Sequence, residues 1–349
     1  MPIFPEQKLR GIASCIFQAA SCPKDEADTV ADVLVNSNLV GHDSHGVIRI
    51  SQYVKELRAG KIKPGAEIRI ARETPATAVL DCGWGFGPVA AKRAMMLAVE
   101  KAEATSISCV TTRNCNHVGR LGEYPVIASD AGMIGIAMVN NHGGGQVMAV
   151  YGGRAKRLSP NPISVAIPRR AAHPILLDIT SSVVAEGKLR VMRNKGLRIP
   201  EGWIVDHAGR PSTDPNDFYA NPPGAILPMG GIVAHKGYGL SLVIDILCGA
   251  LSGAGCSREG NQPIGNAMVA IAIKIENFTT PDEFDKEIAD LVAYVKASPL
   301  IPGFTEVLLP GEPEFRELDK RRARGTEIDD ETWRQIKEAA ESVGVTVDG

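Results

Sequence analysis

Three side chains that could do acid–base chemistry recur at every fourth position near the N-terminus. Residues 41–53 read GHDSHGVIRISQY, which places His45, Arg49 and Tyr53 four residues apart. In a helix that begins at a Ser44 cap, residues with this spacing lie along one face. An imidazole, a guanidinium and a phenol on one face could protonate an oxygen, hold a carboxylate and orient both. A solvated helix surface without a chemical role is the ordinary alternative at this point.

The elements around this stretch give it a defined position. Helical periodicity covers residues 7–19 and 25–40, and Gly41 is a stop signal. A third helix is predicted over about residues 47–59, with an apolar stripe for the core formed by Val47, Ile50, Val54 and Leu57. We therefore expect two helices to precede the third, and the apolar stripe of the third helix to pack in the core.

Short β-branched runs alternate with helices through the rest of the chain, which predicts an α/β or mixed-sheet core. The predicted strands are 77–81, 107–112, 133–139, 163–168, 175–179 and 268–275. The predicted helices are 88–104, 121–131, 237–251, 282–297, 314–324 and 330–343. The last two helices are polar, so we expect them to pack on the surface. Residues 196–230 are rich in Gly, Pro, Asp and Asn and are predicted to form a loop.

The composition limits the class of protein and its partners. A chain of 349 residues with 44% hydrophobic and 22% charged residues is typical of a soluble globular protein with two packed units. The net charge of −2 gives no basis for binding nucleic acid or an anionic membrane, so a small molecule is the expected partner. Seven cysteines without a CxxC pair, and no secretory leader, indicate reduced thiols in a cytoplasmic protein. The apolar segment 238–251 contains Asp245 and is too short for a membrane span, which predicts a buried helix.

The glycines do not form the usual nucleotide-binding fingerprints. In residues 83–88, Pro88 stands where the third glycine of GxGxxG would be, so a Rossmann site is disfavoured. Gly187-Lys188 lacks the other residues of a P-loop. The HGGG run at 142–145 resembles an oxyanion strand, but the chain has no GxSxG element to accompany it.

Four other segments could cradle a pyrophosphate through exposed amides, helix N-termini and cations. They are 114–124 (NCNHVGRLGEY), 177–190 (LDITSSVVAEGKLR), 230–240 (GGIVAHKGYGL) and 309–312 (LPGE). Each one also fits an ordinary loop or strand–helix junction.

A metal-dependent enzyme is a rival from a different class. His42 and His45 have an HxxH spacing, and His117 could be a third ligand. Because no HExxH motif or carboxylate cluster accompanies them, we predict no metal site.

The five segments, in this order, resemble the family of non-Rossmann malate and L-lactate dehydrogenases. This family also holds ureidoglycolate, sulfolactate, diketogulonate and cyclic-imine carboxylate oxidoreductases. The resemblance is strongest to its hydroxycarboxylate dehydrogenase B branch and spans about residues 5–345. It rests on GHDSHG with an Arg four residues past the His, NxxHxGRxG, LDITS, AHKGYGL and LLPGE.

The resemblance implies a fold, an assembly and a cofactor. The fold would be α/β with a mixed, largely antiparallel sheet, and it would not be a Rossmann fold. A helical domain would combine residues 1–75 and 282–349, while residues 76–281 would form an NAD(P)-binding domain with 196–230 inserted. Such proteins are homodimers with active sites near the interface, and the cofactor is NAD or NADP.

The resemblance also implies roles for individual residues. His45 would be the general acid/base, Ser44 would assist it, and Arg49 would hold the substrate carboxylate. His117 is the second candidate acid/base or a nicotinamide contact, and Tyr53 and Ser159 are assigned to the substrate pocket. Similarity to the family's NAD(P) contacts covers His45, His117, Gly119, Arg120, Leu121, Asp178, Ile179, Thr180, Ser181, His235, Lys236, Asn266, Pro310, Gly311 and Glu312.

Two departures bear on the substrate. Pro160 stands where the family's GTNP loop has Thr, which leaves Ser159 as the candidate hydroxyl. Lys188 stands where cyclic-imine reductases carry Asp, which argues against that substrate and against a carboxylate relay to His45. We expect an NAD(P)-dependent oxidoreductase that moves a hydride between nicotinamide C4 and C2 of a 2-hydroxy or 2-oxo acid. A cyclic-imine carboxylate reductase is the alternative within the family.

Overall fold

The computed structural model describes residues 1–170, 172–260 and 263–348. Helices and strands are distributed along the whole of this part of the chain. The α-helices among them are α1 Glu6–Ala19, α2 Lys24–Leu39, α3 Arg49–Arg58, α4 Gly87–Thr105, α5 Pro125–Asp130, α6 Glu186–Asn194, α7 Asn216–Tyr219, α8 His235–Asp245, α9 Pro281–Lys296, α10 Glu312–Arg324 and α11 Asp330–Glu341. The strands are β1 Ile3–Phe4, β2 Arg69–Glu73, β3 Thr77–Asp81, β4 Ile107–Arg113, β5 Met133–His142, β6 Met148–Ala149, β7 Lys156–Leu158, β8 Ile163–Ile167, β9 Ile175–Ile179, β10 Ile204–Val205, β11 Pro211–Ser212, β12 Ala225–Ile226, β13 Gly265–Lys274 and β14 Thr326–Glu327.

A seven-stranded sheet in the order β2-β3-β4-β13-β5-β8-β9 forms the centre of the molecule. Its middle strands β13 and β5 pair antiparallel along their whole length. β3 and β4 are parallel, whereas the other neighbouring pairs are antiparallel. All six predicted strands are present in this sheet. The prediction of a mixed, largely antiparallel sheet is confirmed, and a parallel dinucleotide-binding fold is excluded.

The two ends of the chain share one hydrophobic core. Helices α1, α2 and α3 bury residues such as Phe17, Leu34 and Ile50 in the same cluster as Trp333 and Ile336 of α11. Phe4 of β1 packs on Trp333, with ring centroids 4.7 Å apart. The expectation that residues 330–343 pack only on the surface is therefore wrong, because one face of this polar helix is apolar.

Residues 196–230 are not a plain loop, contrary to the prediction. The two-residue strands β10, β11 and β12 join β6 and β7 in a second, five-stranded sheet. Ile204, Phe218 and Ile226 bury a small core there together with Leu189 of α6. Strands of two residues are too short to show a periodicity, so only their pairing with other strands defines them.

The apolar helix predicted at 237–251 is buried on one side only. It forms α8 and continues as a π-helical turn, Ile246–Ala250. Ile244 and Cys248 pack under the sheet beside Met138, whereas Val243 is 52% exposed and Ile246 is 50% exposed. Of the helices in the described residues, none is long and apolar enough to cross a membrane.

Candidate active site

His45 lies on a short turn before α3 rather than on α3 itself. Asp43–His45 is a 3₁₀ turn, and the α-helix begins at Arg49. The prediction of one helix face shared by His45, Arg49 and Tyr53 is therefore wrong. Arg49 instead folds back on the turn, where its Nε donates to the backbone oxygen of Ser44 at 2.8 Å. The predicted apolar stripe of α3 is confirmed, since Val47, Ile50, Val54 and Leu57 all belong to or pack on the helical core.

The imidazoles of His45 and His117 stack on each other although they come from different parts of the fold. Their ring centroids are 5.6 Å apart and the ring planes are inclined by 19°. His117 follows β4, which belongs to the sheet, whereas His45 precedes α3 in the helical part. The active-site candidates predicted from separate segments thus meet where the turn before α3 contacts the segment that follows β4.

Tyr53 is a core residue whose hydroxyl reaches the histidine pair. Its side chain is buried, and its ring packs against Phe17 and Phe86 at centroid distances of 6.4 and 5.8 Å. The Tyr53 Oη lies 2.8 Å from His117 Nδ1. Tyr53 therefore orients His117 through this hydrogen bond. The prediction that Tyr53 belongs to the substrate pocket did not include this contact.

Burial and positive neighbours keep both imidazoles neutral. Burial, followed by the charges of Arg49, His42 and Arg120, lowers the pKa of His45 from 6.5 to about 3. Burial, followed by Arg49 and His45, also lowers the pKa of His117 well below its ordinary value. The hydroxyl of Ser44 lies 3.1 Å from His45 Nδ1 and occupies that nitrogen. The second nitrogen, Nε2, makes no hydrogen bond within the described part of the chain and is available for a ligand.

The segment after His117 and the end of β9 form a buried ionic cluster. Arg120 Nε lies 3.2 Å from Asp178 Oδ2, and Arg120 Nη1 lies 3.8 Å from Glu123 Oε2. The same Asp178 oxygen accepts a hydrogen bond from the backbone of Gly122 at 3.0 Å. A side chain at Gly122 would collide with Asp178, because its Cβ would lie 2.4 Å from Oδ2. A larger residue at this position would have to displace the Asp178 and Arg120 side chains, where the two predicted cofactor segments touch.

Three buried polar atoms in these segments make no hydrogen bond with the residues that the structure describes. They are Arg120 Nε, which keeps its ion-pair contact with Asp178, Arg120 Nη2 and Ser181 Oγ. A buried donor without a partner is costly, so such groups indicate a position for a polar ligand. This observation fits a dinucleotide held between residues 117–123 and the end of β9.

The neighbouring predicted residues hold the backbone of these segments together. Asn266 accepts from the Val118 amide at 3.1 Å and donates to the Asn140 carbonyl at 3.1 Å. Thr180 Oγ1 donates to the Pro160 carbonyl at 3.0 Å. Two other predicted residues, Leu121 and Ile179, belong to the same two segments, and Gly119 adopts a positive φ of 80°. Their contribution to cofactor binding stays a prediction.

The remaining predicted contacts border β9 at its two ends. Gly237, next to His235 and Lys236, packs against the Ser181 carbonyl, where a Cβ would lie only 2.8 Å from the oxygen. The Leu176 amide donates to the Pro310 carbonyl at 3.0 Å, which attaches the LPGE turn to β9. Gly311 takes φ +91° in that turn, and Glu312 caps the Leu309 amide and pairs with Lys296.

The Ser159 hydroxyl bonds backbone carbonyls rather than a histidine of the pair. It donates to the Gly145 carbonyl at 3.1 Å and is buried with the HGGG loop. The His42 ring contacts a different helix, because its Nε2 lies 3.6 Å from Glu314 Oε1 of α10. Within the described residues, no three His, Cys, Asp or Glu side chains form a group that could hold a metal ion.

Sequence reasoning missed the residues that hold the His45 turn in place. Asn38 of α2 and Arg321 of α10 both bind the Asp43 carboxylate. Gly187 of α6 approaches the turn from the other side, and a Cβ there would lie 3.8 Å from the Ser44 Cβ. Asn38 and Asp43 are only five residues apart, so a sequence pattern could have suggested their contact. Nothing in the polar C-terminal helix indicates that Arg321 contacts residue 43.

Comparison with known proteins places the chain in one family. The sequence profile of the malate/L-lactate dehydrogenase family matches residues 4–337. The chain is 38% identical to the malate dehydrogenase of Pyrococcus abyssi, covering 98% of this chain and 95% of that protein. It is 35% identical to hydroxycarboxylate dehydrogenase B of Escherichia coli K12, with coverages of 98% and 94%.

A solved structure agrees with the sequence matches. The sulfolactate dehydrogenase from Methanocaldococcus jannaschii superposes with a TM-score of 0.89 at 36% identity, covering 99% of this chain and 98% of that one. The family predicted from the five motifs is confirmed: the chain belongs to the malate/L-lactate dehydrogenase family.

Proposed function

We propose that this protein is an NAD(P)-dependent 2-hydroxy acid dehydrogenase, which is equally a 2-oxo acid reductase. The observation that carries the proposal is the stacked pair of neutral imidazoles beside Arg49. Arg49 makes no ion pair within the described residues, although it hydrogen-bonds Ser44 and Gln52. A neutral base next to a guanidinium without a counter-ion suits a substrate that carries a hydroxyl and a carboxylate. The relatives named for malate and sulfolactate support this substrate class.

His45 is the proposed general acid/base. Its low pKa makes it a proton acceptor in the free protein, which suits oxidation of an alcohol. In the reduction direction His45 must first gain a proton. A substrate carboxylate on Arg49 offsets one of the charges that lower the pKa of His45, so anion binding favours that proton uptake.

Arg49 is the proposed carboxylate anchor. Its guanidinium can form two parallel hydrogen bonds to a carboxylate, a geometry that fixes the ligand's orientation as well as its position. Ser44 supports His45 through Nδ1, and Tyr53 supports His117 through its Nδ1. His117 is then the second candidate for contact with the substrate or the nicotinamide ring.

The cofactor is proposed to lie against residues 117–123, the end of β9, the start of α8 and the LPGE turn. When bound, a nicotinamide cofactor supplies or takes up the hydride at C4. The buried, unpartnered Arg120 Nη2 and Ser181 Oγ are the protein groups that would meet its polar atoms. Asp178 and Glu123 already balance the Arg120 charge, so Arg120 is not a free cation for a 2′-phosphate.

No observation favours either alternative. A metal-dependent reaction at His42, His45 and His117 would need all three rings to face one ion, but His42 Nε2 pairs with Glu314 and the described residues contain no group of three such ligands. A cyclic-imine substrate would be served by a carboxylate near Ser44, and α6 instead brings Lys188 next to the glycine that faces Ser44. A cytoplasmic location stays a prediction from the cysteine pattern.

The proposal is tested by assaying 2-oxo acids of lactate, malate, aromatic, sulfonate and glutarate type with NADH and NADPH in parallel. Acid-dependent oxidation of one cofactor is the expected result. The His45→Ala protein, purified in the same way, controls for contaminating dehydrogenases. If neither cofactor is oxidised with any acid, the proposed function is wrong.

We also propose that the protein is a homodimer, and two exposed apolar surfaces support this. One is the outer side of α8 and its π turn, which exposes Leu242, Val243 and Ile246. The other is α9, where every side chain is at least partly exposed and Tyr294 is 81% exposed. Apolar patches of this kind mark interaction surfaces.

The assembly is tested by light scattering coupled to size exclusion. Ile246→Asp should lower the mass to that of one chain, because a charge is then buried at the interface. Ile70→Asp is the matched control, since Ile70 is 45% exposed on the edge strand β2. A monomeric wild-type protein would contradict the proposal.

A further inference from the structure

The turn that carries His45 is tied to the far end of the chain. Arg321 of α10 forms a two-pronged contact with Asp43: Nη1 donates to Oδ1 at 2.6 Å and Nη2 donates to Oδ2 at 3.2 Å. The same Nη1 donates to the Asn38 carbonyl at 2.6 Å. Glu317 accepts from Arg321 Nε at 2.7 Å, which holds the guanidinium on its own helix. Every nitrogen of this guanidinium is thus engaged.

Asn38 of α2 joins the two sides of the turn. Its Nδ2 donates to Asp43 Oδ1 at 2.6 Å, and its Oδ1 accepts from the Val47 amide at 2.8 Å. Gly46, which lies between Asp43 and Val47 in the chain, packs against the side-chain amide of Asn38. A Cβ at Gly46 would lie 2.2 Å from Asn38 Oδ1. The chain is therefore fixed before and after His45 by the same side chain.

A turn of this kind needs external support. Asp43–His45 is a three-residue 3₁₀ turn, and the side chain of its N-cap residue, His42, makes no capping hydrogen bond. Short 3₁₀ segments have poorer hydrogen-bond geometry than α-helices. A planar guanidinium bound to both oxygens of one carboxylate fixes direction as well as distance. The Arg321–Asp43 pair supplies that restraint two residues before His45.

We infer that Arg321 is a positioning residue for the reaction: through Asp43 it sets where the His45 imidazole stands against His117 and the substrate. This inference rests on the proposed function, because it gives a role to the placement of His45. Arg321 itself touches neither histidine. Its effect is expected on turnover rather than on binding of substrate or cofactor.

The first test is the kinetics of Arg321→Met with the 2-oxo acid that the wild type reduces. A displacement of the base by about 1 Å costs on the order of 10²-fold, so we expect kcat to fall roughly 10- to 100-fold. The KM of the acid and the affinity for the cofactor should stay within about threefold of the wild type. Arg322→Met is the matched control, since Arg322 is the next residue of α10 and pairs with Glu6 of α1. This control should retain the wild-type kcat.

The second test is a double-mutant cycle with Asp43→Asn. If Arg321 acts through Asp43, the double variant should have a kcat no lower than the slower single variant, because both substitutions break one link. Independent losses that multiply would overturn the route through Asp43. Arg321→Lys is a second, more conservative variant, in case Arg321→Met does not fold. It keeps the charge but not the two-pronged contact, so an intermediate kcat is expected.

The third test does not depend on turnover. In protein labelled with ¹³C at histidine Cε1, the His45 signal is assigned by its loss in His45→Gln. Arg321→Met should shift this signal, and Arg322→Met should leave it in place. An unshifted His45 signal, or an unchanged kcat in folded Arg321→Met, overturns the inference. A wild type that reduces no acid would defeat the proposed function, while the His45 signal would still decide whether Arg321 positions the turn.

Discussion

The Tyr53 Oη lies 2.8 Å from His117 Nδ1. Burial raises the pKa of Tyr53, so the phenol keeps its proton. His117 Nδ1 is its only hydrogen-bond partner within the described residues, and a buried hydroxyl needs an acceptor for its proton. The phenol therefore donates to Nδ1, and neutral His117 carries its own proton on Nε2. A core residue thus fixes which nitrogen of His117 can donate to a ligand.

Removing this hydroxyl should impair catalysis more than folding. In Tyr53→Phe the ring still packs on Phe17 and Phe86, but His117 loses its orienting bond. We expect kcat to fall about tenfold and the free energy of unfolding to drop by about 1 kcal/mol. Steady-state kinetics and denaturant unfolding measure the two effects. Tyr294→Phe, at an exposed phenol on α9, is the control, and an unaltered kcat in Tyr53→Phe would contradict the role.

Replacing the proposed base should stop turnover without preventing cofactor binding. His45→Ala removes the group that exchanges a proton with the substrate oxygen, which is typically worth about 10²- to 10⁴-fold in rate. Cofactor binding, followed by nicotinamide fluorescence, should persist because the proposed cradle lies mainly on other segments. His207→Ala, at an exposed histidine beyond β10, is the matched control. Full activity in His45→Ala would remove His45 from the mechanism.

Arg49→Met should weaken the binding of acids specifically. The lost contact to a carboxylate is worth about 1.5–3 kcal/mol, so KM should rise roughly 10- to 150-fold. Arg58→Met, at the other end of α3, is exposed and should leave KM unchanged. The comparison is made from initial rates over a range of acid concentrations. An unchanged KM in Arg49→Met would show that the carboxylate binds elsewhere.

The stability of the fold should fall in mild acid because His45 is held neutral. Its pKa is about 3 in the folded protein and near 6.5 when unfolded. Between these values the unfolded chain binds the extra proton, so this contribution is complete above pH 6.5 and declines as pH falls towards 3. In His45→Gln, the slope of the unfolding free energy against pH should be smaller than in the wild type near pH 5, by the equivalent of about one bound proton. Urea unfolding from pH 4.5 to 7 measures it, with His207→Gln as the control. Equal slopes in wild type and His45→Gln would contradict the low pKa.

The sequence by itself determined most elements, and it pointed to segments that meet in the candidate site. β-branched runs identified six of the seven strands of the central sheet, all except β2, and the apolar stripe of α3 identified its buried face. These features are local, since a run of side chains with one period reports the environment of that run. The motifs around residues 45, 117 and 178 also named segments that meet in space. Pattern and chemistry within a few residues were sufficient for this.

Only the tertiary structure decided how these groups are arranged. His45 lies on a 3₁₀ turn rather than on α3, and the Tyr53 hydroxyl contacts His117 Nδ1. Arg321 binds Asp43, which is 278 residues away in the chain. The tertiary structure also paired two-residue strands of the 196–230 segment into a second sheet. Contacts between distant residues leave no periodic signal in either partner, because each side chain alone is compatible with a solvated surface. Packing of the helices against one another and against the segment after β4 is what fixed them.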